Sequence, residues 1–178
     1  MYRFTMSRTK RLILTGLCIA LGIVLPLAFH SIANAGSIFL PMHIPVLLCG
    51  LVCGWPFGLA CGVITPLLSS LFTGMPMVAF LPAILCELAV YGVVSGLLMQ
   101  AIRTGKTLTD LYLSLIGAML AGRLVFGLLN AVVFRAGAYS VSLWTTAAFV
   151  TALPGILIQL AIIPALVLAL KKAKLITE

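Results

Sequence analysis

Apolar residues run almost unbroken along the chain, in long stretches separated by short clusters of polar residues, Gly and Pro. The long stretches do not alternate apolar with polar positions, which argues for helices rather than strands. The pattern predicts six: Leu12–Phe29, Pro41–Gly54, Phe57–Phe72, Met77–Ile102, Leu108–Phe134 and Leu143–Leu170. Between them lie the loop His30–Leu40, the breaker Gly54-Trp55-Pro56, the turn Thr73–Pro76, the basic loop Arg103–Lys106 and the connector Arg135–Ser142. The second and third stretches are short and contain Pro45 and Pro66, which suits tilted or broken helices. The sixth is expected to break at Pro154 and Pro164.

Composition decides the solvent. Of 178 residues, 63% are hydrophobic and 8% charged, and the mean hydropathy is +1.28. A soluble domain of this size could not hide that much apolar surface. In lipid every run must satisfy its own backbone, which again selects helices. The expected fold is an all-α, polytopic membrane bundle of six transmembrane helices, a single integral-membrane domain over residues 1–178. The first run is too long for a signal-peptide core and lacks a clear cleavage site, so it is read as retained.

The net charge of +8 is a topology signal, and no nucleic-acid partner is implied. The basic segment of residues 1–11 carries four Lys/Arg, the Arg103–Lys106 loop two and the C-terminal end three. The opposite loops carry only Arg135, and Arg123 lies within an apolar run. Both termini are therefore expected in the cytoplasm and the loop His30–Leu40 outside.

Two charges stand inside apolar runs: Glu87 in the fourth and Arg123 in the fifth. A charge at membrane depth costs roughly 2.5–3.5 kcal/mol on insertion scales. At about 1.5 Å per residue, Glu87 lies roughly 15 Å and Arg123 roughly 18 Å below the outer ends of their spans. Tyr91 shares the Glu87 face and Asn130 the Arg123 face, nearer the outside. Gln159 sits mid-span in the sixth stretch, His43 at the outer end of the second, Asn34 and Ser31 in the first outer loop, and Trp144 at the top of the sixth. One reading is a buried ion pair that holds two spans together. The other is a ligand site open to the outside, lined by Glu87, Arg123, Asn130, Tyr91, Gln159, His43, Asn34 and Trp144. Both hold if the pair opens to admit a ligand. Trp144 and Tyr139 also fit an outer aromatic belt.

The five cysteines, Cys18, Cys49, Cys53, Cys61 and Cys86, lie in apolar runs and read as packing groups. No ligand spacing suggests a metal, and no cofactor is expected. Walker-type, HExxH and GxSxG motifs are absent, so the chain does not hydrolyse ATP itself. Gly16 and Ala20 form a small-xxx-small pair on the first span, suited to a close helix contact inside the bundle or with another subunit. Gly117, Ala118, Ala121, Gly122 and Gly127 give the fifth span a small surface around Arg123.

PMHIPVLLCGLVCGWPFGLACGVITPLLSSLFTGMP (Pro41–Pro76), ELAVYGVVSGLL (Glu87–Leu98) and PGILIQLAIIPALV (Pro154–Val167) together resemble the substrate-binding S components of energy-coupling factor (ECF) vitamin transporters. The resemblance covers most of the chain. It implies a multi-pass subunit of the cell membrane that binds a vitamin-like ligand from outside. It also implies a transmembrane T component and two cytoplasmic ATPase subunits as partners. The family's Ala-xxx-Ala contact with the T component matches Gly16 and Ala20, the first position being Gly here. A guanidinium favours a carboxylate or phosphate-like group, and Glu87 would accept from hydroxyl or amino groups. The expected function is uptake of a small water-soluble vitamin or related micronutrient. The alternatives are a small intramembrane enzyme using Glu87 and His43, or a structural membrane subunit.

Overall fold

The computed structural model describes residues 4, 6–29, 35–134 and 140–177. Asn34, Ser31, Arg135 and Tyr139 lie outside the described residues. The elements in order are α1 (Arg8–Ala28), α2 (Ala35–Phe39), α3 (His43–Cys53), α4 (Trp55–Thr73), α5 (Leu81–Ala101), α6 (Thr107–Leu129), a π-helical turn (Asn130–Phe134), α7 (Val141–Thr145), a second π-helical turn (Thr146–Thr151) and α8 (Leu153–Lys172). Six segments are long and apolar enough to cross a membrane: α1, Gly36–Cys53, α4, α5, Thr107–Val133 and α8. The protein is all-helical and multi-pass, as its hydropathy predicts.

Local chemistry sets the element ends. Ser7 caps α1, its hydroxyl accepting from the Lys10 amide at 3.3 Å. Gly54 takes φ 95° and ψ 168°, a conformation open to Gly, and there α3 stops and α4 begins. Pro56 in the first turn of α4 has no N–H to leave unpaired. The buried Asp110 carboxylate accepts from the Thr104 amide at 2.9 Å and the Thr104 hydroxyl at 2.6 Å, fastening the turn between α5 and α6.

The prolines depart in part from expectation. Pro154 falls in the first turn of α8, so the chain does break there, but α8 runs through Pro164 and α4 through Pro66. Neighbouring helices and local adjustment let membrane helices carry an interior proline. The predicted loop His30–Leu40 contains α2, and the top of the sixth stretch is α7 with its π-helical turn.

At the centre of the bundle lies α3. Its membrane segment is 72% buried, against 22–39% for the other five. It packs on α1, α4, α5, α6 and α8, while α5 lies against α3, α4 and α6. Backbone proximity is set by glycines. A Cβ on Gly58 or Gly92 would strike the main chain of the other, one on Gly62 the Leu88 carbonyl, and one on Gly50 the Ser95 hydroxyl. At the terminal end of the bundle, the buried Arg11 guanidinium donates to the Cys53 carbonyl and to the Phe4 carbonyl, both at 3.2 Å. The start of α1 is thereby tied to the end of α3. Cys18, Cys49, Cys53 and Cys61 are free thiols in the hydrophobic core.

Candidate functional site

Three helices bring four polar side chains together. Glu87 lies six residues into α5, and Arg123 six residues before the end of α6, each about 9 Å along its helix. Glu87 is shallower than the sequence suggests, because Met77–Phe80 forms turns rather than helix. The two helices are antiparallel neighbours, and Arg123 Nη1 lies 3.2 Å from Glu87 Oε1. The Tyr91 hydroxyl, one turn along α5, donates to the same oxygen at 3.1 Å. His43, the first residue of α3, brings Nε2 to 3.7 Å from Glu87 Oε2. Its ring meets that of Tyr91 edge-on, with centroids 5.2 Å apart. Glu87, Tyr91, His43 and Arg123 are all buried.

Small residues make the meeting possible. A Cβ at Gly122 would fall on the Tyr91 ring, and one at Gly127 on the Trp144 indole. Thus α6 presents bare backbone where aromatic rings from α5 and α7 lean on it. The Trp144 indole nitrogen donates to the Arg123 carbonyl at 3.0 Å. Trp144, expected as a lining or belt residue, therefore holds the backbone that carries Arg123. Nothing in its sequence position signals that bond, although the Gly-rich face of α6 marks where a ring could settle.

Several buried polar side-chain atoms stay without a hydrogen-bond partner. Arg123 Nη2, Gln159 Nε2 and both ring nitrogens of His43 are buried and have no hydrogen-bond partner among the described residues. Gln159 comes from α8 and is 1% exposed. Asn130 is buried, but its amide donates to the Phe126 carbonyl of its own helix at 2.8 Å. It stands where α6 passes into the π-helical turn. Asn34 lies outside the described residues.

Two surface cavities sit elsewhere. One of about 250 Å³ is lined by Leu124, Gly127, Leu128, Ala131, Ser140, Val141 and Trp144. The other, of about 430 Å³, is lined by Met6, Arg8, Arg11, Pro56 and Phe57. Neither includes Glu87, His43, Tyr91 or Arg123. Among the described residues no group of His, Cys, Asp or Glu is placed to hold a metal ion. Chemically, the cluster is a carboxylate already engaged by a guanidinium and a phenol, with spare N–H donors around it. That suits recognition of acceptor-bearing polar molecules.

The family model described as "ECF transporter, substrate-specific component" matches residues 10–167. The chain belongs to that family. Neither a curated protein nor a solved structure matches it. As an ECF substrate-specific component, the chain is a membrane transport subunit and not an enzyme, so Glu87 and His43 are not catalytic groups. Membership implies a small-molecule substrate and partnership with a T component and ATPases.

Proposed function

We propose that this ECF substrate-specific component binds a small water-soluble vitamin or related micronutrient with high affinity. Arg123, Glu87, His43, Tyr91 and Gln159 provide the contacts, and Asn130, Asn34 and Trp144 line or brace the approach. One observation carries the reading. An ion pair lies buried inside a membrane bundle, with unpartnered nitrogens on Arg123 and His43, and the Gln159 amide of α8 is likewise buried without a partner. A cluster meant only to hold helices together gains nothing from unpaired buried donors, since each costs about 1–3 kcal/mol. A bound substrate with carbonyl, carboxylate or phosphate oxygens satisfies them.

The bias of Lys and Arg supports cytoplasmic termini in the cell membrane. The end of the bundle that carries α2, His43 and α7 then faces outward, and the substrate enters from there. Uptake is energised by two cytoplasmic ATPase subunits through a T component. Gly16 and Ala20 on α1 fit the T-component contact, because both are exposed and a Cβ at Gly16 meets nothing. The chain works as a single domain.

The test is mass spectrometry of small molecules that co-purify with the protein. The identified compound should bind the purified wild type and fail to bind Arg123→Gln and Gln159→Ala. Thermal unfolding would be followed in parallel to separate loss of binding from loss of fold. Normal binding by both variants overturns this site.

A further inference from the structure

The charges around Glu87 balance as they stand. One carboxylate faces one guanidinium, with the His43 imidazole beside them. The spare groups are mainly donors, and the strongest is Arg123 Nη2. A guanidinium engaged on one edge by Glu87 and offering a second nitrogen matches an anionic oxygen. Placing a substrate carboxylate or phosphate there sets two anions on one cation, in a site shielded from water. An uncompensated buried charge is strongly unfavourable. A second positive charge restores balance, and the geometry offers one place for it. Glu87 Oε2 lies 3.7 Å from His43 Nε2, just beyond hydrogen-bond reach, while Oε1 already accepts from Tyr91 and pairs with Arg123. A small shift of the His43 ring makes the missing bond when that nitrogen carries a proton.

We propose that an anionic substrate enters this site together with one proton, and that His43 holds the proton against Glu87. The inference rests on reading the Glu87 cluster as the substrate site. It specifies the substrate class as a carboxylate or phosphate monoanion. Among the described residues no other group at this level supplies the charge. The titratable and charged groups facing His43 are Glu87 and Tyr91 from α5 and Arg123 from α6. On α1 and α8 the charged residues are Arg8, Lys10, Arg11, Lys171 and Lys172, at the opposite end of the bundle; α2 and α4 contain none. Binding balances as free site plus substrate anion plus one proton giving the complex, with no bond broken.

Isothermal titration calorimetry on the purified full chain in detergent tests this. Matched acid and neutral probes are used (nicotinate and nicotinamide, pantothenate and panthenol), in buffers of differing ionisation enthalpy. An acid probe should bind with uptake of about one proton. Its affinity should fall as pH rises, by up to about tenfold per pH unit. A neutral probe that binds should take up none. In His43→Gln the pH slope should vanish, with affinity at acid pH lowered to the level found at basic pH. Binding of an acid without proton uptake overturns the proposal while leaving the substrate site standing. Uptake that survives in His43→Gln overturns His43 as the carrier. If no acid probe binds, the anionic class is wrong, and the compound that co-purifies still decides whether the cluster is a substrate site. Proton uptake is counted in the wild type, so a poorly folding variant leaves the central claim open to refutation.

Discussion

The Trp144 indole nitrogen donates to the main-chain carbonyl of Arg123, across a 3.0 Å gap between α7 and α6. The ring rests on Gly127, where a side chain would collide with it, and it meets Phe149 edge-on. The position of the buried guanidinium is thus set by an aromatic residue from another element.

Trp144→Phe keeps an aromatic side chain but removes the indole donor and the five-membered ring that rests on Gly127. A neutral hydrogen bond is worth about 1 kcal/mol net, so substrate affinity should fall about fivefold with little change in fold. Gly127→Ala displaces the ring itself and should cost more affinity than Trp144→Phe. Direct binding measurements on both variants check the order.

Removing one member of the ion pair should hurt more than removing both. Arg123→Ala leaves the buried Glu87 carboxylate without its guanidinium partner, at a cost of about 3–5 kcal/mol. The double variant Glu87→Leu/Arg123→Met leaves no charge and should recover most of that stability while binding no substrate. Thermal unfolding in detergent beside a binding assay separates the two effects. A double variant that still transports would return the pair to a purely structural role.

Tyr91→Phe deletes a hydrogen bond to a buried carboxylate. Bonds to charged groups contribute about 1.5–3 kcal/mol, and the ring against Gly122 is retained. The variant should fold with a lowered melting temperature and weaker binding.

Gly92→Ala should be among the most damaging single methyl additions. The new Cβ would run into the Gly58 main chain, where α4 and α5 touch. Backbone atoms cannot rotate away as side chains do, so the helices must separate. Loss of folded protein by size-exclusion chromatography is the expected outcome. Gly16→Leu is the contrast: the position is open, so fold and substrate binding should survive. Under the proposed docking, recovery of the T component in a pull-down should drop.

Most of the helical plan was legible because membrane spans are written in composition. Continuous apolar runs, a Gly-Trp-Pro break and clustered Lys and Arg need no tertiary information. The encounter of Glu87 with Arg123 was legible too, since opposite charges at matching depth on consecutive antiparallel spans have few other partners. The depth of Glu87 was overestimated, because hydropathy does not distinguish the turns of Met77–Phe80 from helix. Pro164 misled for a related reason: in a membrane bundle, neighbouring helices can compensate for a lost backbone bond. His43 offered little beyond its place at a helix end. Its approach to Glu87 depends on where α3 sits among the other helices, which no local pattern encodes. The inward role of Trp144 was hidden similarly, since a span-end Trp reads equally well as an interfacial anchor.

The shortness of the central helix acts as a ruler. With only 11 residues, about 16 Å of rise, α3 could not bridge a hydrocarbon layer of about 30 Å by itself. Walled in by protein, it has no lipid thickness to match. Because Arg11 ties its far end to α1, its length fixes how far below the rim the imidazole stands. One inserted residue would lift His43 by about 1.5 Å and swing it some 100° around the axis, parting it from Glu87 without touching the carboxylate.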